Sequence, residues 1–255
     1  MSASQAERAR ALRALHRPGN PLVLPNAWDV ASARRFAEQG AAALATTSAG
    51  VANSLGWPDG EKIPAREMFA AVARIAAAVA LPVTADLEAG YGLAAKELAE
   101  RVIGSGCVGL NLEDSDHARG RGALVVAERQ AERIAALKRA GRDAGVDLVV
   151  NARVDTYLGG PLAGAERVAE TIRRGCLYLE AGADCIYPIT AHDEGEIAAI
   201  VEGVGRAPVN VMALPTAPTL ARLAAIGVAR VTFGSLLLRR ALDAATSALA
   251  DYSKR

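Results

Sequence analysis

Asp86 and Glu88 close the run Pro82-Val83-Thr84-Ala85-Asp86-Leu87-Glu88-Ala89-Gly90-Tyr91-Gly92, where a short apolar stretch ends in two carboxylates and breaks at two glycines. Read as a strand, the run puts Asp86 and Glu88 on one face, because alternate side chains share a side. Two carboxylates that close repel unless a proton or a cation sits between them. Mg2+ suits a site of few carboxylates completed by substrate oxygens, with Mn2+ as its substitute. The bland alternative is a solvated pair at a strand end, since D-x-E recurs by chance. Two further pairs alternate in the same way inside apolar runs: Asn111 with Glu113, and Asn151 with Arg153. An unpaired charge there would be expensive. Glu113 and Arg153 are therefore expected to face a common mouth with charged partners. Glu113 can join Asp86 and Glu88 around one ion, and Arg153 can fork onto a substrate carboxylate or phosphonate. A purely structural Arg–Glu pair is the alternative.

The elements that must position these residues alternate along the whole chain. Eight short strand-like runs are expected at Leu22–Pro25, Ala42–Thr46, Val83–Asp86, Val108–Glu113, Leu148–Arg153, Cys185–Pro188, Val209–Met212 and Arg230–Phe233. Several are apolar throughout, as strands buried on both faces are. Between them lie segments with helical spacing, such as Ala65–Val79, Ala94–Ile103, Val126–Ala144 and Ala165–Glu180. Gly40, Gly106, Gly182 and Gly227 stand where each helix would end in a left-handed cap. Eight β-then-α units without a break in composition predict an α/β fold, a single (β/α)8 TIM-type barrel domain over residues 1–255 with an added N-terminal helix. A doubly wound sheet is the alternative, weakened by the lack of a Gly-rich fingerprint after the first strand. In a barrel the C-terminal strand ends build the active site. Those ends carry Asn26, Thr46 to Gly50, Asp86, Glu88, Asn111, Glu113, Asn151, Arg153 and, on the seventh strand, Asn210, which we count with the substrate-binding set.

The chain of 255 residues is 51% apolar and 22% charged with a net charge of +1, so it has the material for a sizeable core. Near-neutral charge and 4% aromatics argue against nucleic acid or a membrane surface as partner. No apolar stretch reaches the roughly 18 residues of a membrane span. Arg8, Arg10, Arg13 and Arg17 lie on an N-terminal helix that reads as packed on the body, or else as a transit peptide. Cys107, Cys176 and Cys185 show no C-x-x-C spacing and read as small core residues of a reducing, cytoplasmic protein.

The segments PNAWDVASAR, TTSAGVANSLGWPDG, PVTADLEAGYG, VGLNLED and NARVDT, in this order and spacing, resemble the isocitrate lyase/phosphoenolpyruvate mutase superfamily from about Leu22 to Ser235. The resemblance implies a (β/α)8 barrel, commonly a homotetramer whose last helix packs on a neighbouring subunit, so a tetramer or dimer is expected. It implies that Asp86 ligates Mg2+ directly and that Glu88 and Glu113 hold the ion largely through water. Arg153 matches the arginine for the substrate carboxylate, and Thr47, Ser48 and Ala49 lie where backbone amides receive it. Asp59, in Gly-Trp-Pro-Asp, matches an aspartate near the reacting group. The implied activity is Mg2+-dependent cleavage of a C–C bond in a small α-oxo or α-hydroxy acid through an enolate. C–P chemistry of the phosphonopyruvate type, or a binding protein with little turnover, are the alternatives. The lyases of the superfamily carry a Lys-Lys-Cys-Gly-His loop after the fourth strand. Here the loop reads Asp114-Ser115-Asp116-His117-Ala118-Arg119-Gly120-Arg121, with neither that cysteine nor the mutase's asparagine, and the sixth strand ends in Thr190 without the mutase's histidine. His117 is either an acid–base group or a solvated loop residue.

Overall fold

The computed structural model describes residues 3–253. The described chain holds strands β1 (Leu22–Leu24), β2 (Asn26–Ala27), β3 (Leu44–Thr46), β4 (Val83–Asp86), β5 (Gly109–Glu113), β6 (Val149–Val154), β7 (Cys185–Pro188), β8 (Asn210–Met212) and β9 (Arg230–Thr232). Its helices are α1 (Gln5–Ala14), α2 (Val30–Glu38), α3 (Ser48–Ser54), α4 (Ala65–Ala77), α5 (Ala95–Gly104), α6 (Ala127–Asp143), α7 (Gly164–Glu180), α8 (Glu194–Gly203), α9 (Leu220–Ala225) and α10 (Leu236–Tyr252).

The strand pairs are parallel and run in a ring. β2 to β7 pair in sequence order, and β8 pairs with β9, which pairs with β1. β1 and β2 are halves of one strand broken at Pro25, which has no N–H for the ladder. The Pro25 carbonyl still accepts from Ala45 N at 3.0 Å, so the turn of the ring from β1 to β2 stays bonded. A bridge between Ile186 and Val209, with Ile186 N donating to Pro208 O at 2.9 Å, joins β7 to β8 and closes the barrel. This closure rules out the doubly wound sheet. Strand ends lie within a residue or two of their expected positions.

Every residue of β3, β4 and β5 is buried, because helices cover the barrel outside and side chains fill it inside. Gly40, Gly106, Gly182 and Gly227 have φ of 84°, 83°, 101° and 93°, the left-handed caps that turn each helix back into a strand. α1 packs under the N-terminal end of the barrel. Arg13 on it meets Asp184 Oδ1 at 2.6 Å and Asp147 Oδ2 at 3.1 Å, just ahead of β7 and β6. Cys107 and Cys185 are core residues, but Cys176 is half-buried, since it lies on α7 against the end of α8, with its Sγ 3.6 Å from Gly203 O. In α10 only Leu238 is buried, while Leu242, Leu249 and Tyr252 are 52%, 67% and 75% exposed.

One expectation needs correction. Asp86 and Glu88 do not share a strand face, because β4 ends at Asp86. The chain turns there, with Gly90 N donating to Leu87 O at 2.8 Å and Glu88 at φ 53°. Glu88 reaches the mouth from a turn.

Gly109 shows how tightly the ring is drawn. A Cβ there would lie 2.5 Å from Val149 O and 3.1 Å from Thr84 Oγ1. Gly109→Ala is expected to lower stability by about 1–3 kcal/mol through overpacking, measured by urea denaturation. An unchanged midpoint would mean that β5 and β6 can part without cost.

Candidate active site

Two adjoining cavities open at the C-terminal end of the strands. The inner one, about 200 Å³, is walled by Thr47, Ser48, Asp86, Asn111 and Tyr187, with Leu158, Ile189 and Met212 supplying apolar surface. The outer one, about 460 Å³, is walled by Glu88, Glu113, Ser115 and His117. Asp59, Arg153 and Leu158 line both and form the partition.

Asp86 stands at the end of β4, in the floor of the inner cavity. Its Oδ2 accepts from both the amide and the hydroxyl of Ser48 at 3.0 Å, and its Oδ1 from Asn111 Nδ2 at 3.2 Å. A carboxylate offers about four lone-pair sites, so these donors fix Asp86 and still leave acceptor capacity facing the cavity. Ser48 is placed for this because α3 starts there, with Thr47 as its cap accepting from Gly50 N. Ala49 follows on the same cavity wall.

Glu88 is held by one donor from the loop after α3 and one from its own turn after β4. Its Oε2 accepts from Glu61 N at 2.7 Å and its Oε1 from Tyr91 OH at 3.1 Å. Glu61, Glu88 and Tyr91 all have positive φ, at 56°, 53° and 57°. Such backbone costs on the order of 1–3 kcal/mol per residue and persists where the surroundings enforce it. Glu113, at the end of β5, is opposite Arg153 in the strand register and meets its Nη1 at 2.5 Å. His117 Nε2 reaches back to Glu113 Oε1 at 2.7 Å. Glu88, Glu113 and His117 thereby bring one potential ligand atom each within 4.8 Å of one another.

Arg153 lies differently from expectation. Its fork closes on Asp155, Nε to Oδ1 at 2.7 Å and Nη2 to Oδ2 at 2.9 Å, while Nη1 holds Glu113. The Arg–Glu pair exists, and it lines the cavities as well. Asp155 is missing from the expected set, although its place two residues after Arg153 was a readable signal. Asp155 also accepts from Ser115 Oγ at 2.5 Å, and its amide donates to Asp114 Oδ1 at 2.9 Å. Asp114 is wholly buried, with Arg174 Nη1 at 2.9 Å and Tyr178 OH at 2.7 Å on its other oxygen. The start of the loop after β5 is thus tied to α7 and to Asp155 just past β6, and Arg174 Nη1 also holds the far end of the loop by donating to Val125 O at 2.9 Å. Its tip lies against the next loop. A Cβ on Gly122 would fall 2.6 Å from Gly160 N, and Arg121 Nε donates to Leu158 O at 3.2 Å.

Asn210 stands apart from the other expected residues. It is wholly buried at the start of β8, where its Nδ2 lies 3.1 Å and its Oδ1 3.2 Å from Thr232 Oγ1, a hydroxyl that can accept from the first and donate to the second, below the cavity. Asp59 lies on an exposed loop with its carboxyl turned to the partition.

Burial, followed by the charges of Asp59, Glu113 and Asp86, pushes Glu88 up to about 8. Burial also raises Glu113, with Arg153 and His117 opposing. Partial burial and the Asp86 charge raise Asp59. The bond to Glu113 raises His117. Burial alone would lower Arg153, but Asp155, Glu113 and Asp86 outweigh it and hold it well above its ordinary value. Burial first, and mutual repulsion second, thus make the carboxyl groups of the mouth costly to ionise. Two buried carboxylates and an imidazole nitrogen within ligand spacing fit a divalent cation.

A sequence profile of the family described as phosphoenolpyruvate phosphomutase matches residues 12–252. The chain belongs to this family. An uncharacterized Mycobacterium tuberculosis (H37Rv) protein is 37% identical over 92% of this chain and 85% of its own length. The 2-methylisocitrate lyase of Bacillus subtilis (strain 168) is 29% identical over 82% of this chain and 68% of its own. Among solved structures, a phosphonomutase candidate from Burkholderia cenocepacia J2315 superposes with a TM-score of 0.90 at 37% identity, covering 97% of this chain and 99% of that one. An oxaloacetate acetylhydrolase bound to oxalate superposes at 0.83 with 27% identity, covering 95% and 86%. Within the family, lyases, hydrolases and mutases share this barrel, and the chain is related to enzymes of that kind.

The raised carboxyl groups predict a pH signature. Glu88 keeps its proton in the fold to about pH 8, whereas in the unfolded chain it loses it near 4.5. Its contribution is full below pH 4.5 and disappears as pH rises through 8, so metal-free protein should melt progressively lower between pH 5 and 8.5. Added Mn2+ or Mg2+ competes with those protons, so its stabilising shift should grow over the same range. Scanning calorimetry with and without the ion checks this, and a shift independent of pH would separate Glu88 from metal binding.

Proposed function

We propose that this protein is a Mg2+-dependent lyase or hydrolase acting on a small α-oxo or α-hydroxy carboxylic acid. The observation that carries the reading is the junction of the two cavities, where the Glu88–Glu113–His117 cluster adjoins the inner pocket floored by Asp86. Asp86, Glu88 and Glu113 would hold the ion, with His117 from the loop after β5 as a further ligand and Mn2+ as an alternative metal. When bound, the ion supplies positive charge to the α-oxygen and carboxylate of the substrate as negative charge develops there.

The chain's own groups do the rest. The wall formed by Thr47, Ser48 and Ala49 at the start of α3 receives the substrate carboxylate through the amides of Thr47 and Ala49, while the Ser48 amide and hydroxyl stay on Asp86. Arg153 faces the same space with its fork fixed by Asp155, so it orients charge rather than swinging to meet it. Asp59, with its raised carboxyl at the partition, is placed to give or take a proton at the reacting carbon. Leu158, Ile189 and Met212 exclude water from the inner pocket. Asn210 supports the floor through Thr232 and acts from beneath.

The inner cavity of about 200 Å³ has room for a small diacid. The loop after β5 has no cysteine to serve as the acid of isocitrate cleavage. A C–P reading draws on the likeness to the Burkholderia phosphonomutase candidate. The exposed apolar residues of α10 support assembly into a homo-oligomer through that helix.

A turnover screen with Mg2+ or Mn2+ over oxaloacetate, 2,3-dimethylmalate, isocitrate, methylisocitrate and phosphonopyruvate tests the reading. Small 2-oxo or 2-hydroxy diacids are expected to react, and Asp86→Ala to lose at least about a hundredfold in rate while remaining folded. If phosphonopyruvate were the best substrate, the C–P reading would replace this one. If a tricarboxylate were best, the inference from the missing cysteine would be wrong.

A further inference from the structure

Among the described residues Arg230 is the largest wholly buried side chain. It enters the barrel from the first residue of β9, on the inward face shared with Thr232, which lines the inner cavity one pleat above. Among the described residues no carboxylate pairs with it. Its Nε and Nη1 have no partner, and its one bond runs from Nη2 to Asn111 Oδ1 at 3.3 Å. Burial pulls the guanidinium down from its ordinary value, but arginine does not lose its proton in proteins. A lone buried cation is costly, and neutral packing of the same volume is often as stable or more so. Core packing alone therefore gives no reason for it.

The bond it makes leads directly to the site. Asn111 Oδ1 also accepts from Asn151 Nδ2 at 2.8 Å, and Asn111 Nδ2 donates to Asp86 Oδ1 at 3.2 Å. Arginine only donates and an ionised carboxylate only accepts, so the two charges together fix which way the Asn111 amide points. The cations at the cavity are otherwise spent. Arg153 is divided between Glu113 and Asp155, and the cavity wall carries Asp59 and Asp86. An anionic ligand entering it would meet uncompensated negative charge.

We propose that Arg230 is a positioning residue of the inner pocket: it locks Asn111 against Asp86 and places beneath the floor the positive charge that lets a small dianion bind there. The inference rests on the proposed function for its anion, and on the geometry alone for the lock.

The test compares wild type with Arg230→Met, a neutral side chain of similar length. Calorimetry measures Mn2+ affinity, then oxalate affinity at saturating Mn2+, and the Asn111 side-chain amide signals are followed by 1H–15N NMR. Arg230→Met should fold with an equal or higher melting temperature. Its Mn2+ affinity should be unchanged or tighter, since a buried cation has been removed. Oxalate affinity should fall about tenfold, the scale of one charge-assisted interaction, and the Asn111 signals should shift and broaden. A merely structural Arg230 would instead weaken Mn2+ and oxalate together with stability, and either that result or unchanged oxalate binding with unshifted Asn111 signals overturns the proposal. If wild type bound neither Mn2+ nor oxalate, the proposed function would fail, and the Asn111 signals would still decide the lock. Should Arg230→Met not fold, Arg230→Lys keeps the charge without the fork. It should retain most of the oxalate affinity while shifting the Asn111 signals, and loss of oxalate binding with Asn111 unmoved would overturn the proposal.

Discussion

Asp86, Glu88 and Glu113 crowd one buried end of the barrel with Asp59 at its rim, and like charges held together there raise one another's cost of ionisation. Much of the surrounding structure answers that repulsion. Ser48 gives Asp86 two bonds at 3.0 Å, Glu61 and Tyr91 hold Glu88, and Arg153 and His117 bracket Glu113. Even so, Glu88 is left at about 8. Buried carboxyl groups that remain costly to ionise after this many donors are suited to a ligand that brings positive charge.

The donors are placed by the fold and reinforced by polar layers outside the cavities. β5 and β6 pair Glu113 with Arg153 in direct register. Asp155 then fixes the guanidinium, Asp114 fixes Asp155, and Arg174 and Tyr178 fix Asp114. The chain of bonds runs from the mouth to the flank of α7. Removing one member would leave a buried charge unpaired, which typically costs 3–5 kcal/mol. The same bonds tie down the start of the loop bearing His117, and His117 itself bonds Glu113, so loop position and the charge state of Glu113 are coupled.

The barrel was legible because its signals are local and repeated. Apolar strand runs, helical spacing and the caps at Gly40, Gly106, Gly182 and Gly227 each point to the same order of elements. The fold line of the family was legible through five motifs in order. The arrangement within the site was legible only in part. Asp86, Glu113 and Arg153 come to one mouth, as alternation along their strands requires. Glu88 arrives from a turn, since the strand stops two residues earlier and strand ends depend on partners that no local pattern shows. The fork of Arg153 on Asp155, the bond of His117 to Glu113 and the deep seat of Asn210 depend on rotamers and long-range contacts. Arg230 looked like an ordinary strand residue, because nothing around it in sequence says that it points inward.

The central claim is that these carboxyl groups hold a divalent cation beside the Asp86 pocket. Anomalous diffraction from crystals grown with Mn2+ and oxalate tests it most directly. The account predicts a single strong Mn2+ peak at the junction of the cavities, within coordinating distance of at least two of Asp86, Glu88, Glu113 and His117, with oxalate against Ser48. No peak there, or oxalate bound away from the ion and from Ser48, would contradict it.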